Sequence, residues 1–307
     1  APAKPGITVF EDFDLAELVS RFDWKPFFET WELHGRFPDI LKDEKVGETA
    51  RSLYEDAQAM LKRIVDEKWF KPRAVVGIWP ANSVDDDIEV TPAPDHNEPV
   101  MLRTLRQQMF RENNKRPNRA LADYIAPKDS GKTDYIGGFV VTAGPQVEEI
   151  ASKLEAEHDD YNAILVKALG DRFAEAFAER MHEHVRKDLW GYASDETLAN
   201  DDLISEKYRG IRPAPGYPAC PEHTEKRTLW QLLDANKNVG VELTESCAMT
   251  PASSVSGFYF AHPEAKYFGL GKIERDQVES YAERKGMTMT EAERWLAPNL
   301  NYDPRRA

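Results

Sequence analysis

The spacing of apolar residues predicts a chain dominated by helices. Between Asp43 and Trp69, Leu53, Ala57, Met60, Leu61 and Ile64 share one face at helical period. A second block runs from Gln146 to about Trp190 and is expected to break near "EHDDYN". Within it Leu165, Leu169, Phe173, Phe177 and Met181 recur every four residues, a stripe that faces a core. Shorter helices are expected in "DLAELVSRF", "DDLISEKYRG", "KRTLWQLLDA", "RDQVESYAERKG" and "MTEAERWLAP". Alternating or continuous apolar runs predict strands in "RAVVGIWPA" and "DIEV", on either side of the acidic "NSVDDD", and in "DYIGGFVVTAG". Three more are expected late in the chain, in "VGVELTES", "SVSGFYFAH" and "AKYFGLG", while "VMLRTLRQQ" fits neither period. The late strands are separated by short turns, which favours antiparallel pairing over crossovers and makes the class α+β. No repeat or Gly/Ser linker interrupts the 307 residues, so one continuous unit is expected.

Composition narrows the partners. A net charge of −14 argues against nucleic acid, whose phosphates need a basic surface. The longest apolar runs, such as "GGFVV" and "FYFA", are strand-sized, far short of the roughly 20 residues of a membrane helix. With two cysteines and no secretory apolar segment at the start, a cytoplasmic protein without a disulfide framework is expected. An opening Ala1 in place of Met is expected of a processed chain or of a piece cut from a longer one.

Candidate chemistry concentrates in one stretch. "RPAPGYPACPEH", from Arg212 to His223, holds four prolines, none tolerated inside a helix or a central strand. Prolines lower the entropy of the unfolded segment, so a ligand-binding surface there would be held ready. Arg212 suits a carboxylate, Gly216 permits close backbone approach, and Tyr217 offers a ring with a polar tip. A stiff connector with Arg212 in a structural ion pair fits the same residues, and the sequence leaves both readings open. Cys220, His223, Cys247 and His262 are zinc-ligand types, but only Cys220 and His223 are closely spaced, so no zinc is expected. Asp171 and Glu175 lie four apart on a helix face with Lys167 one turn before them, the pattern of a solvated face. No strand–GxGxxG–helix unit and no G-x-S-x-G elbow is present.

Longer blocks carry a resemblance. "RPAPGYPACPEHTEK", "LTESCAMTPASSVSGFYFAHPEAKYFGLGKI" and "RDQVESYAERKGMTMTEAERWLAPNLNYD" resemble the C-terminal activation domain of cobalamin-dependent methionine synthase. So do "DWKPFFETWELHGRFP", "VGIWPAN", "APKDSGKTDYIGGFVVTAG" and "HDDYNAILVKALGDRFAEAFAE". The likeness runs from about Phe22 to Asp303, with residues 1–21 as a lead-in. It implies one C-shaped α+β domain, built around a twisted and largely antiparallel sheet flanked by helices. It also implies a methyltransferase domain that binds S-adenosylmethionine and presents the methyl group to cob(II)alamin during reductive reactivation in methionine biosynthesis. The implied partners are the cobalamin-binding module, which carries that cofactor separately, and flavodoxin or an equivalent reduced flavoprotein.

Matched position by position, the resemblance assigns S-adenosylmethionine contacts to Asp23, Arg212, Gly216, Tyr217, Ala219, Tyr267 and Phe268, the last standing where the family often has Tyr. It turns Asp171 and Glu175 toward the cobalamin module. No residue is expected to act as nucleophile or general base. Because a flavodoxin would itself be acidic, basic residues such as Lys266, Lys272, Arg275 and Arg284 are expected together on one face. The competing class is a module that binds S-adenosylmethionine or docks without transferring a methyl group.

Overall fold

The computed structural model describes residues 1–92, 98–110 and 117–306. Its centre is a six-stranded sheet of β1 (Gly6–Phe10), β2 (Arg73–Val84), β3 (Asp87–Val90), β4 (Val100–Arg103), β5 (Asp134–Thr142) and, from late in the chain, Ser254–Tyr259. A two-residue hairpin, β6 (Glu242–Leu243) and β7 (Met249–Thr250), intervenes, so the late sheet strand is β8. The path is β4-β3-β2-β5-β8 and every pairing in it is antiparallel. The twelve residues of β2 are long enough for β1 and β3 to share its second edge, β1 opposite residues 74–78 and β3 opposite 81–84. The expected α+β class with antiparallel pairing is what the chain forms.

Both faces of the sheet are covered, and period-2 alternation sorts the side chains between them. Ala74, Val76, Ile78, Phe139, Val141 and Tyr259 face one core, with α1 (Leu15–Val19), α2 (Lys25–Thr30), α3 (Gly47–Asp66), α4 (Gln146–Ala156) and α5 (Asp160–His184). Val75, Trp79, Ile136, Val140, Phe258 and Phe260 face a second core. That one is capped by α7 (Glu225–Leu233) and α8 (Ala235–Val239), which follow the short α6 (Asn200–Ile204). Covering both faces is why "GGFVVTAG" reads as continuously apolar. A third cluster joins α9 (Arg275–Lys285) to α10 (Met289–Trp295) through Val278, Tyr281, Ala282, Ala292 and Leu296.

The expected stripe on α5 is buried at all five positions, Leu165, Leu169, Phe173, Phe177 and Met181. The break before it falls at 157–159, where His158 adopts a positive φ and the Asp159 side chain accepts from the Asn162 N–H. Two expectations fail. "AKYFGLG" forms no strand, because its backbone groups are taken by the proline-rich loop and by side chains. The Leu270 N–H donates to the Pro218 carbonyl at 2.8 Å, Gln107 Nε2 to the Gly269 carbonyl, and the Tyr124 hydroxyl to the Lys266 carbonyl. "VGVELTES" keeps only the two strand residues of β6, since Val239 still belongs to α8 and the Val241 carbonyl accepts from Trp230 Nε1.

The position of α5 over the sheet depends on Gly170. A Cβ there would lie 2.5 Å from Val147 Cγ1 on α4 and 3.0 Å from the Ser253 hydroxyl beside β8. Alanine gains roughly 1 kcal/mol over glycine inside a helix, but overpacking a fixed valine costs about 1–3 kcal/mol. Gly170→Ala is therefore expected to lower stability, and urea denaturation of the two proteins checks the sign.

Candidate functional site

The proline-rich loop begins as a continuation of the sheet. Ile211 and Phe260 exchange two backbone hydrogen bonds at 3.0 Å, and the Phe258 N–H donates to the Pro213 carbonyl at 2.9 Å, so 211–213 lies along the free edge of β8. Pro213 and Pro215 lack the N–H needed to extend this ladder, which ends here. Alternation buries Ile211 in the core under α7 and turns Arg212 toward the opposite face, where α5 lies. Beyond it the chain closes a tight turn. The Gly216 N–H donates to the Cys220 carbonyl at 2.7 Å and the Cys220 N–H to the Tyr217 carbonyl at 2.9 Å, with Gly216 at φ +95°.

Arg212 is held from three sides. Nη2 donates to Glu179 Oε2 at 2.7 Å, and Nη1 to both His182 Nδ1 at 3.0 Å and the Tyr208 hydroxyl at 3.1 Å. Three of five N–H donors are thus taken, leaving Nε–H and one Nη2–H without an acceptor among the described residues. Accepting from Arg212 requires a lone pair on Nδ1, so His182 is the neutral tautomer protonated on Nε2. Burial, followed by Arg186 and Arg212, holds its pKa well below the usual imidazole range. The Tyr208 ring has two guanidinium groups over it, Arg186 at 4.5 Å and Arg212 at 5.4 Å from its centroid. Its hydroxyl meets that of Tyr267 at 3.1 Å, and Tyr267 in turn accepts the Arg212 backbone N–H at 3.0 Å.

Of these groups Arg212 and Tyr267 line an open cavity of about 840 Å³, with Glu179, His182 and Tyr208 behind them. Arg212, Tyr217, Ala219, Tyr267 and Phe268, all singled out in the sequence, line it together with Glu175. Gly216 lies immediately behind the wall, against the His223 ring. Asp23 does not line the cavity; its Oδ1 accepts the Lys25 N–H at 3.0 Å at the start of α2. Asp171, one turn from Glu175, is also outside the wall and accepts from the Ser253 hydroxyl at 2.8 Å. Both readings of the loop therefore meet at Arg212, which is at once ion-paired and in the cavity wall.

Sequence reasoning missed Glu206, which lines the cavity from the turn after α6, and the buried pair Glu179 and His182. Helical spacing carries a signal for the last two. Asp171, Glu175, Glu179, His182 and Arg186 recur every three or four residues, a polar stripe beside the apolar one. No periodicity marks Glu206.

The lip is fastened from behind. Lys285 of α9 donates to Glu222 at 2.7 Å and to Glu225 at 2.5 Å, and the Tyr281 hydroxyl donates to Glu222 at 3.0 Å. Burial opposes ionisation of both carboxyls; Lys285 and Thr224 outweigh it at Glu222, whose pKa falls, while at Glu225 burial wins and the pKa rises. Cys220 and Cys247 are buried free thiols, and among the described residues no three His, Cys, Asp or Glu side chains converge as metal ligands. The expected basic face is mostly spent on internal contacts. Arg284 pairs with Asp87, Arg275 with Glu279 at 2.8 Å, and Lys272 donates to the Pro298 and Leu300 carbonyls. Arg284 and Lys272 tie the C-terminal segment to its neighbours, Arg275 pairs within α9 on an exposed face, and only Lys266 of the four has no partner for its side chain among the described residues.

The family model described as "Vitamin B12 dependent methionine synthase, activation domain" matches residues 14–286. Among solved structures, a crystal structure of the MetH reactivation domain bound to AdoHcy is similar at 54% identity and a TM-score of 0.94. That likeness covers 98% of this chain and 92% of the other.

Gly216 tests the build of the lip. Its Cβ would lie 2.3 Å from His223 Cε1, and its φ is one that L-residues rarely adopt. Gly216→Ala is expected to cost about 1–3 kcal/mol from strain and to displace the His223 ring. Thermal denaturation and the His223 NMR signals report both; an unchanged protein would mean that the turn does not need the left-handed conformation.

Proposed function

The chain belongs to the family of vitamin B12-dependent methionine synthase activation domains, and on that premise we propose that its cavity binds S-adenosylmethionine and offers the methyl group to cobalamin carried by another module. One observation carries the reading: the cavity wall combines a partly unsatisfied guanidinium, Arg212, with two carboxylate residues, Glu175 and Glu206, while the other cation in the wall, Lys226, is turned to the Cys247 carbonyl at 2.9 Å. S-adenosylmethionine presents the complement, one carboxylate and two positive centres, the ammonium and the sulfonium. The remaining Nε–H and Nη2–H of Arg212 bind the ligand carboxylate. Glu175 and Glu206 face the positive groups. Tyr267, Phe268 and the backbone around Ala219 pack against the adenosine. AdoHcy, the ligand of the similar crystal structure, shares all of this except the sulfonium charge.

Bound cobalamin would supply the nucleophilic metal; this chain supplies position. Tyr217 stands at the rim with 64% of its surface exposed, so it meets whatever covers the cavity. Asp171 and Glu175, exposed on α5, face the cobalamin module beside it. Reactivation draws an electron from a reduced flavoprotein, and the whole assembly works in the cytoplasm. No residue in the wall is needed as a base, because methyl transfer from a sulfonium releases a neutral thioether and moves no proton. The contribution to rate is alignment and exclusion of water.

Two measurements test this. Calorimetry is expected to show binding of both S-adenosylmethionine and AdoHcy, with Glu206→Gln and Glu175→Gln each lowering the preference for the sulfonium ligand about two- to fivefold, the worth of an exposed charge pair. No binding at millimolar ligand would remove the site. Separately, with the cobalamin module, a reductant and S-methyl-labelled ligand, label is expected in the cobalamin fraction only when this chain is present. Binding without transfer of label would leave a docking module.

A further inference from the structure

Glu179 lies outside the cavity wall, yet its side chain, 9% exposed, carries one of the few charges buried beneath it. A buried ion pair is weak evidence for stability, since desolvation cancels most of its attraction. The surroundings are not arranged for stability either. Glu179 Oε1, His182 Nε2, Arg186 Nη1, Ser256 Oγ and the Tyr259 hydroxyl are all buried with no hydrogen-bond partner among the described residues. What the pair does accomplish is to hold a guanidinium still, with Glu179 on one side and His182 and Tyr208 on the other.

The need for such a hold follows from the composition of the wall. Arg212 shares its cavity with Glu175 and Glu206. Both carboxylates are exposed, and a guanidinium on a flexible stem, released from its partners, turns toward opposite charge within its reach. That contact would consume both the group that binds a carboxylate and a group that binds a cation. We propose that Glu179 is a positioning residue for ligand recognition: its ion pair holds Arg212 away from Glu175 and Glu206, so that all three remain available to a ligand carrying both signs of charge. This rests on the assignment of the cavity to S-adenosylmethionine. Neutral His182 adds an acceptor without adding charge, so Glu179 alone balances the arginine inside the protein.

The test compares three probes by calorimetry on the wild-type chain, Glu179→Gln and Glu179→Asp. S-adenosylmethionine carries both signs of charge; decarboxylated S-adenosylmethionine keeps both positive centres and lacks the carboxylate; 5′-methylthioadenosine is neutral. In Glu179→Gln, affinity for S-adenosylmethionine is expected to fall about tenfold or more. Affinity for the decarboxylated probe falls as well, because Arg212 now occupies a wall carboxylate, and affinity for 5′-methylthioadenosine is unchanged. Equal losses for all three probes would make Glu179 merely structural and overturn the proposal, as would a decarboxylated probe that binds the variant as it binds the wild type. Should Glu179→Gln not fold, Glu179→Asp decides. It keeps the charge one methylene further back, and is expected to weaken S-adenosylmethionine a few-fold without touching 5′-methylthioadenosine; no difference between those probes overturns the idea. If the wild-type chain binds 5′-methylthioadenosine but not S-adenosylmethionine, the assignment of the cavity fails, and this proposal with it.

Discussion

The ion pair between Arg212 and Glu179 joins parts of the chain 33 residues apart in sequence: the C-terminal part of α5, and the run along the edge of β8 that passes into the lip. A guanidinium at that junction cannot be left to water. Removing one partner of a buried pair typically costs 3–5 kcal/mol, because the other charge stays behind. The pair therefore sets where the Arg212 guanidinium stands between α5 and the sheet edge, and with it how the wall of the cavity is charged. His182, stacked on Tyr259 at 5.1 Å, and Tyr208, wedged against the two arginines, fit around that requirement.

The sheet contributes an edge that stops at a chosen place. β8 pairs with β5 on one side, while its other side takes up only the short run 211–213 before prolines deny it further donors. An exposed edge would invite another strand. Here it is covered for a few residues and then converted into a loop, so a single stretch both protects the sheet and forms a rim. Gly257 makes the join possible, since a Cβ at that position would lie 2.9 Å from the Pro213 carbonyl.

Most of the architecture was legible because helical stripes and alternating strands are local signals. The stripe from Leu165 to Met181, the break near His158 and the strands "RAVVGIWPA", "DIEV" and "SVSGFYFAH" all follow from side chains a few residues apart. "AKYFGLG" misled because its alternation serves two unlike neighbours: Phe268 packs near Tyr124, while Tyr267 reaches Tyr208 and the Arg212 backbone. The proline-rich loop announced itself, and of the residues that the family resemblance singled out, Arg212, Tyr217, Ala219, Tyr267, Phe268 and Glu175 line one cavity while Asp23 and Asp171 do not. Glu206 stayed hidden because only the folded turn brings it to the wall. The buried role of Glu179 stayed hidden because one helix face carries both solvated and sequestered carboxylates, and sequence spacing does not separate them. Lys272 and Arg284 show the converse, cations that look free in a sequence and are spent on internal partners.

The three charges behind the lip, Glu222, Glu225 and Lys285, are bound to one another in a nearly dry space. Replacing Lys285 alone strands two carboxylates, and replacing either glutamate alone leaves an arrangement built for a different charge. An apolar trio of similar volume would be tolerated far better than any single step toward it. The set is therefore hard to leave by point mutation. It is a ratchet in sequence space, and it ties what α9 can become to a loop residue 63 positions away.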